Sequence, residues 1–291
     1  MRFRLGRLGP AFLFIAPVVI LLLAFRIYPM FFAIWLSLND VKLYSLDKLN
    51  FVGVQNFIDV FQLEVPEFSR VALNSFFFVM GSVIGQLGFG LGIALLLQQR
   101  WVRGAGLLRA FYLLPWVISG IIVAFSWTFI YDPRLGSLNL FLTRLGLEPQ
   151  SWLAEPHLVL PSLIVMNIWR GMGFSLIMQT SGLQSIPLEL YEAGMIDGCN
   201  RWKSLRYITL PLLKPFLLLN LIVASALTFN TFDVIFAMTN GGPLFRSEVM
   251  PIFMYHQAFD FANVGLGSAV AVILLSINVI LTIVYYRIWR Q

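Results

Sequence analysis

Charge is what this sequence has least of. Only 12% of its 291 residues are Asp, Glu, Lys or Arg, while 59% are hydrophobic and the mean hydropathy is +0.82. A soluble domain carries about a quarter charged residues. A soluble chain of this length would lack the polar surface to cover its core, so the composition places the protein in a membrane. Cysteine is nearly absent: Cys199 stands alone, which excludes an internal disulfide, and a lone thiol is most simply an incidental small residue. The two histidines, His157 and His256, are too far apart in sequence to suggest a metal site. No Gly-x-x-x-x-Gly-Lys-Ser/Thr phosphate loop occurs, so ATP binding and hydrolysis are not expected of this chain. No cluster has hydrolase or redox spacing, so no catalytic residue is assigned and an enzyme is not expected. Tandem repeats, low-complexity tracts and a soluble segment are missing too, leaving one membrane domain over 1–291. The net charge of +6 does not point to nucleic acid, because the basic residues cluster at the ends of apolar runs.

A membrane helix needs about 20 mostly apolar residues. Six such runs are present, at about 11–37, 71–97, 110–131, 158–182, 212–238 and 264–286. Arg2, Arg4 and Arg7 ahead of Ala11–Phe25 imitate a signal peptide. No small-x-small cleavage site follows and the apolar run resumes after Arg26, so an uncleaved first span is expected. Lys and Arg orient the chain. One set of connections holds twelve of them: Arg2, Arg4, Arg7, Arg100, Arg103, Arg109, Arg201, Lys203, Arg206, Lys214, Arg287 and Arg290. The other holds six, spread over longer segments: Lys42, Lys48, Arg70, Arg134, Arg144 and Arg246. The first set marks the cytoplasm, with both termini inside. The outer connections 38–70, 132–157 and 239–263 are rich in turn residues, and Asn240-Gly241-Gly242-Pro243 is a strong breaker at the outer end of the fifth run.

Between the fourth and fifth runs lies a polar island, Leu188–Pro215, with seven of the 34 charged residues. Pro187 and Glu189 suit the first turn of a helix. Leu188, Tyr191 and Met195 recur at helical spacing, Gly198 suits its end, and Asn200 suits the N-cap of a second helix containing Trp202, Leu205 and Ile208. A helix–turn–helix against the cytoplasmic face is predicted. Read blandly, it is an amphipathic loop at the headgroups, but Glu189, Glu192 and Asp197 among the bases argue against an anionic lipid surface.

The register Glu192-Ala193, Gly198, Ile208-x-Leu210-Pro211 resembles the EAA motif of permease subunits in bacterial binding-protein-dependent ATP-binding-cassette (ABC) importers, except that Gly194 stands where the family usually has a second Ala. The likeness covers nearly the whole chain. Ile27-Tyr28-Pro29, Asn167-x-Trp169 with Gly173-Phe174, Gly182-Leu183-Gln184-Ser185-Ile186-Pro187, and Phe229-Asn230-x-Phe232-Asp233 before Thr239-Asn240-Gly241-Gly242-Pro243 are similar to the carbohydrate branch, with its maltose-type and glycerol-phosphate-type permeases. The resemblance implies an all-α, polytopic helical bundle of six transmembrane helices with the type I ABC importer permease fold, and a coupling loop at 183–211. It implies that Glu192 pairs with a basic residue of an ATP-hydrolysing subunit, that Ala193 and Ile208 complete the motif, that Gly198 lets the two helices turn, and that Leu210-Pro211 pass movement into the fifth span. Gly194 would weaken the helix by up to about 1 kcal/mol. No cofactor is expected in this chain, ATP and Mg being held by partner subunits. The implied partners are two ATP-binding subunits, a second permease subunit, an extracytoplasmic substrate-binding protein and membrane lipid. The implied place is the bacterial cytoplasmic (inner) membrane.

Three polar clusters interrupt the apolar runs: Trp116, Ser119 and Gly120; Asn167, Trp169, Arg170 and Gly171; and Thr228, Asn230, Thr231 and Asp233. Flat aromatic faces with hydrogen-bonding side chains are the chemistry that holds sugars, and in the maltose-type family these stretches line the transported sugar. Arg170 and Asp233 demand explanation, because ionisable groups inside spans face a bundle interior or a wet cavity. Arg170 alternatively snorkels or pairs with Asp233 as a structural tie, Asn and Thr serve helix packing, and Trp116 and Trp169 are packing aromatics. The second run's Gly81, Gly85, Gly88, Gly90 and Gly92, and the sixth run's Gly265, Gly267, Ser268 and Ala269, read as packing surfaces toward a second permease subunit. A di- or oligosaccharide importer subunit is the leading expectation. Glycerol phosphate served by Arg26 and Arg170 is the alternative, and a stand-alone secondary transporter, whose two halves usually show sequence pairing, is a third.

Overall fold

The computed structural model describes residues 8–45, 49–99 and 102–290. Arg2, Arg4, Arg7, Lys48 and Arg100, used above to orient the chain, lie outside the described residues. Apart from a two-residue antiparallel hairpin, β1 (Asn39–Asp40) with β2 (Asn50–Phe51), the regular structure is helical. Helices α1 (Leu8–Leu22) and α2 (Tyr28–Ser37) are joined by a π turn, followed by α3 (Gln55–Gln62), α4 (Phe68–Leu97), α5 (Ala105–Val117), α6 (Gly120–Ile130), α7 (Ser137–Arg144) and α8 (Val159–Gln184). Then come α9 (Leu188–Ile196), α10 (Arg201–Ser204), α11 (Leu210–Phe229), α12 (Asp233–Thr239), α13 (Met250–Tyr255) and α14 (Val264–Arg290).

Five continuous helical stretches are long and apolar enough to cross a bilayer: Phe14–Ser37, Phe68–Leu97, Val159–Gln184, Arg201–Phe229 and Val264–Ile288. Two of the six expected runs are corrected. The third, expected at 110–131, is not one helix: α5 and α6 meet at a 97° bend. Pro115 removes a ladder donor near the end of α5, and Ile118 and Ser119 are extended before α6 restarts at Gly120. Hydropathy records composition and is blind to this change of direction. The fifth, expected at 212–238, begins eleven residues earlier at Arg201 and ends at Phe229, and α12 is a separate short helix. A π turn at Leu205–Thr209 fuses α10 to α11, so the polar second helix of the island and the apolar span are one rod.

No boundary is visible in the sequence, yet the chain divides into two compact units. One comprises Met1–Phe68 and Phe253–Leu275. Its first helix exposes most of its apolar side chains, including Phe14, Phe25 and Phe31, which in a membrane means lipid contact. The connector 38–67 is fastened by Asn56, whose amide donates to the carbonyls of Ser37 and Asn39 at 2.9 Å each, and by the Gly265 N–H to the Val41 carbonyl at 3.0 Å.

The other unit, Ser69–Ile252 and Ser276–Gln291, holds every residue assigned above to coupling or to the substrate pathway; Arg26, invoked only for glycerol phosphate, lies in the first. Here α8 packs on α5 and α11, and α6 on α12. Helix α4 approaches α8 through small residues: a methyl on Gly81 would meet Ile164, on Gly85 Ile168, and on Gly90 the Ser175 Cβ at 2.6 Å. Gly88 and Gly92 face open space instead, with exposed Ile84, Phe89 and Leu96 around them. The glycine run therefore lies on two faces of α4. Ala94, Leu97, Leu176, Leu183 and Leu213 form a buried cluster that binds one end of α4 to the end of α8 and the start of α11. The 132–152 connection is built around buried Asn139, which donates to the carbonyls of Asp132, Pro133 and Gln150 and accepts from the Gln150 N–H and the Trp152 indole N–H, both at 3.0 Å. The exposed Asp132 carboxylate accepts from the backbone N–H groups of Leu135 and Arg134, which holds its pKa below the usual carboxylate range.

Candidate functional site

The polar island folds as two helices. Pro187 caps the start of α9, and Glu189 lies in its first turn, where the helix end is positive. At its other end the Gly198 N–H bonds the Met195 carbonyl at 3.1 Å and the Cys199 N–H bonds the Gly194 carbonyl at 2.8 Å. This is the Schellman arrangement, and it needs the left-handed backbone that Gly198 adopts with φ of 77°. Asn200 then caps α10, its side-chain oxygen accepting the Lys203 N–H at 2.9 Å. Two contacts close the pair: the Tyr191 hydroxyl lies 3.0 Å from Thr209 Oγ1, and Gly194 is buried where the Ile208 side chain arrives, its Cδ1 2.8 Å from the position a Cβ would take.

Glu192, Ala193, Gly198 and Pro211 are exposed, and Ile208 and Leu210 are half-buried. Around them Leu188, Met195, Ile196, Trp202 and Tyr207 are all more than half exposed. Glu192 makes no ion pair among the described residues. The island thus presents an unpaired carboxylate amid an apolar surface, and the expected face of Leu188, Tyr191 and Met195 is divided: Tyr191 turns inward to Thr209 while the other two remain outside.

The polar residues of the runs converge on a cleft of about 190 Å³ lined from α4, α5, α8, α11 and the segment into α12. Of the eleven pathway candidates, Trp116, Asn167, Arg170, Gly171, Thr228, Asn230, Thr231 and Asp233 line it. Gly120 does not, but opens α6 against the Asp233 carboxylate, where a methyl would collide with it. Ser119 is exposed at the bend. Trp169 is also absent from the lining: its ring packs edge-on against Trp127 at 5.6 Å. Trp127 leads to Tyr131 at 5.2 Å, and Tyr131 to Trp152 at 6.0 Å. Trp169 therefore belongs to an aromatic column running to the 132–157 connection.

Helix α8 bears Asn167, Arg170, Gly171 and Phe174 on one face because they recur at three- and four-residue spacing. The Arg170 guanidinium faces the Asp233 carboxylate in two parallel contacts of 3.4 and 3.5 Å, longer than the roughly 2.7–2.9 Å of a tight charge-assisted bond. Trp116 stacks on Phe174 at 5.3 Å, giving the cleft an aromatic wall. Gln86, not anticipated as a lining residue, enters from α4; its amide donates to the Asn167 carbonyl at 3.1 Å, and Gly171 leaves the space it fills. The signal was a lone carboxamide within the glycine-rich middle of that span. Asn167 is 5% exposed and its side-chain nitrogen has no partner. Among the described residues no group of three or more His, Cys, Asp or Glu is placed to hold a metal.

Residues 86–290 match the family described as binding-protein-dependent transport system inner membrane component. The chain is 33% identical over 290 residues, covering 100% of it and 96% of the relative, to the trehalose/maltose transport system permease protein of Thermococcus litoralis. It is also 33% identical over 288 residues, 96% of it and 90% of the relative, to the sulfoquinovosyl glycerol transport system permease protein of Agrobacterium fabrum. Among solved structures it matches a chain of a bacterial ABC transporter involved in the import of the acidic polysaccharide alginate, with a TM-score of 0.81, 25% identity and 97% of each chain covered.

Proposed function

Because the chain belongs to the family of binding-protein-dependent transport system inner membrane components, a multi-pass inner membrane permease subunit of ABC importers, we propose that its cleft passes a carbohydrate and that its cytoplasmic helix pair receives the stroke of a partner ATPase. The observation that carries this is the continuity of one helix from Arg201 to Phe229. At about 1.5 Å per residue it is about 43 Å long, longer than the roughly 30 Å hydrocarbon core. Its first turn lies in the polar island and its last turn carries Thr228 into the cleft wall, so a push on one end is felt at the other. Helix α8 leads from the other side of the cleft into α9 through three residues, Ser185–Pro187.

The cleft offers an aromatic wall from Trp116 and Phe174 and neutral donors and acceptors from Gln86, Asn167 and Asn230, which suits a polyhydroxylated ligand. The likeness to a trehalose/maltose permease supports the same class. The anionic alternative resting on Arg26 and Arg170 is not favoured: Arg170 already faces Asp233, and Arg26 is an exposed residue of the first helix that does not line the cleft. Both termini lie in the cytoplasm by the distribution of Arg and Lys. Partner subunits supply ATP and Mg, a binding protein delivers substrate outside, and a second permease subunit completes the passage. Alternating access is then a two-state equilibrium that ATP and substrate shift through differential affinity.

The test is co-purification with ATPase subunits and reconstitution into proteoliposomes with the binding protein. Wild-type complex should accumulate a labelled oligosaccharide only with ATP. Glu192→Lys should reduce that uptake at least tenfold while the chain remains inserted. Failure of the chain to associate with any ATPase subunit overturns the proposal.

A further inference from the structure

Two charged residues are found among those lining the cleft, Arg170 and Asp233, and they oppose each other. The remaining polar lining consists of amides and hydroxyls. The net charge of the wall is therefore zero, although a permanently charged guanidinium stands in it. The pair is not tight: its contacts are 3.4 and 3.5 Å, and the Asp233 side chain is 45% exposed. A tie built only for stability would be shorter and better buried. Its seat is nevertheless specific. Gly120 opens α6 directly against the Asp233 carboxylate, and the Arg170 Nη2 lies 3.1 Å from where a Cβ of Gly120 would stand. Three elements, α6, α8 and α12, thus hold opposite charges beside an open space. Asn167, 5% exposed with its amide nitrogen unpartnered, supplies a neutral donor in the same wall.

From this juxtaposition we infer that Arg170 and Asp233 are the charge filter of the cleft: Asp233 cancels the guanidinium, so that acidic sugars find no net attraction to repay the desolvation of their charge and uncharged polyhydroxylated ligands are preferred. The inference rests on the carbohydrate reading above and names the substrate class within it. A carboxylate ligand approaching Arg170 meets the like charge of Asp233 at nearly the same distance, so its attraction is offset. A hydroxyl ligand meets both an acceptor and a donor. Removing Asp233 leaves one positive charge facing the space, which favours anions; removing Arg170 leaves one negative charge, which opposes them. Unit charges a few ångströms away, in a partly wet site, change local ion occupancy by about tenfold or more.

The experiment uses the assembled complex in proteoliposomes with Cys199→Ala and a reporter thiol from Asn230→Cys, in the lining. Its rates with an anionic sulfonatoethyl and a cationic trimethylammonioethyl methanethiosulfonate are compared. Asp233→Asn should raise the anionic-to-cationic rate ratio about tenfold, Arg170→Gln should lower it about tenfold, and the double variant should return it to the parent value. A ratio that moves by less than twofold in both single variants overturns the filter. Should one single variant fail to assemble, the other carries the same test with the opposite sign. Binding of maltotriose and of trigalacturonate, read by tryptophan emission, separates the two layers. If the wild-type complex, with Asn230 and Cys199 in place, binds neither while the thiol ratios shift as stated in the reporter background, the carbohydrate reading fails and the charge balance stands. If it binds maltotriose and Asp233→Asn leaves the preference over trigalacturonate unchanged, the filter fails and the carbohydrate reading stands.

Discussion

Gly194→Ala sets two effects of similar size against each other. In the middle of an exposed helix, alanine in place of glycine stabilises by about 0.8–1 kcal/mol, because glycine loses more backbone freedom on folding. Against this, the new Cβ lies 2.8 Å from Ile208 Cδ1, whereas carbon atoms rest comfortably at about 3.5–4.0 Å. The obstacle is the far end of a flexible side chain, and Ile208 is half-buried with room to turn. Moving that methyl off its preferred rotamer costs about 0.5–1.5 kcal/mol. The two terms cancel to within about 1 kcal/mol, so ATP-driven uptake should stay within about fivefold of wild type. Gly194 is therefore not the weak point that its departure from the motif suggests. Gly194→Val adds two further carbons at the same place and should cost about 1–3 kcal/mol by overpacking. The assay is hydrogen exchange over residues 188–209 together with uptake per ATP hydrolysed. Alanine should preserve protection of α9 and the coupling ratio, and valine should reduce both. Loss of α9 protection in the alanine variant would refute the reasoning, since it would mean that Ile208 cannot yield.

Trp169→Ala should cost about 3 kcal/mol in thermal or denaturant stability by emptying part of the aromatic column while changing oligosaccharide affinity less than twofold. Trp116→Ala, at an exposed cleft position, should do the reverse, and equal affinity losses in both would contradict the division between column and cleft. Asn139→Ala strands the Gln150 N–H and the Trp152 indole N–H, so it should cost about 2–5 kcal/mol and open residues 132–152 to proteolysis; an unchanged cleavage pattern would show that water replaces the amide freely.

The fold was legible where one physical signal decides the outcome. Long apolar runs can only be spans, and four of the six fall on unbroken helices, as composition requires when every backbone group must be satisfied inside the lipid. The helix pair of the polar island was legible because its ends carry their own chemistry: Gly198 and Asn200 sit at the positions that their backbone and side-chain preferences demand, and Pro187 stands one residue before the first turn. What failed was direction. The α5–α6 bend is made by Pro115, Ile118 and Ser119 within a run that stays apolar throughout. The π turn at Leu205–Thr209 lets a polar helix and an apolar one share an axis, although hydropathy changes sharply between them.

The cleft's polar residues were legible as a group but not one by one, and the tryptophans show why. Trp116 and Trp169 are equally suitable for a sugar by chemistry, and only packing separates them. The first ends a broken helix, so its ring is not enclosed on all sides and half of it faces the cleft. The second lies mid-helix opposite Trp127, which is already held by Tyr131. Gln86 is the converse case. Beside Gly85 and Gly88 it belonged by sequence to a packing stripe, but its neighbours point to different sides of α4, Gly85 toward Ile168 and Gly88 toward open space. A carboxamide between those directions is too costly to leave unpaired in lipid, and the Asn167 carbonyl, freed of obstruction by Gly171, is the partner within reach. The same bond that satisfies Gln86 therefore fixes α4 against α8 at the level of the ion pair, so the cleft gains one of its walls from the physics of an otherwise apolar helix.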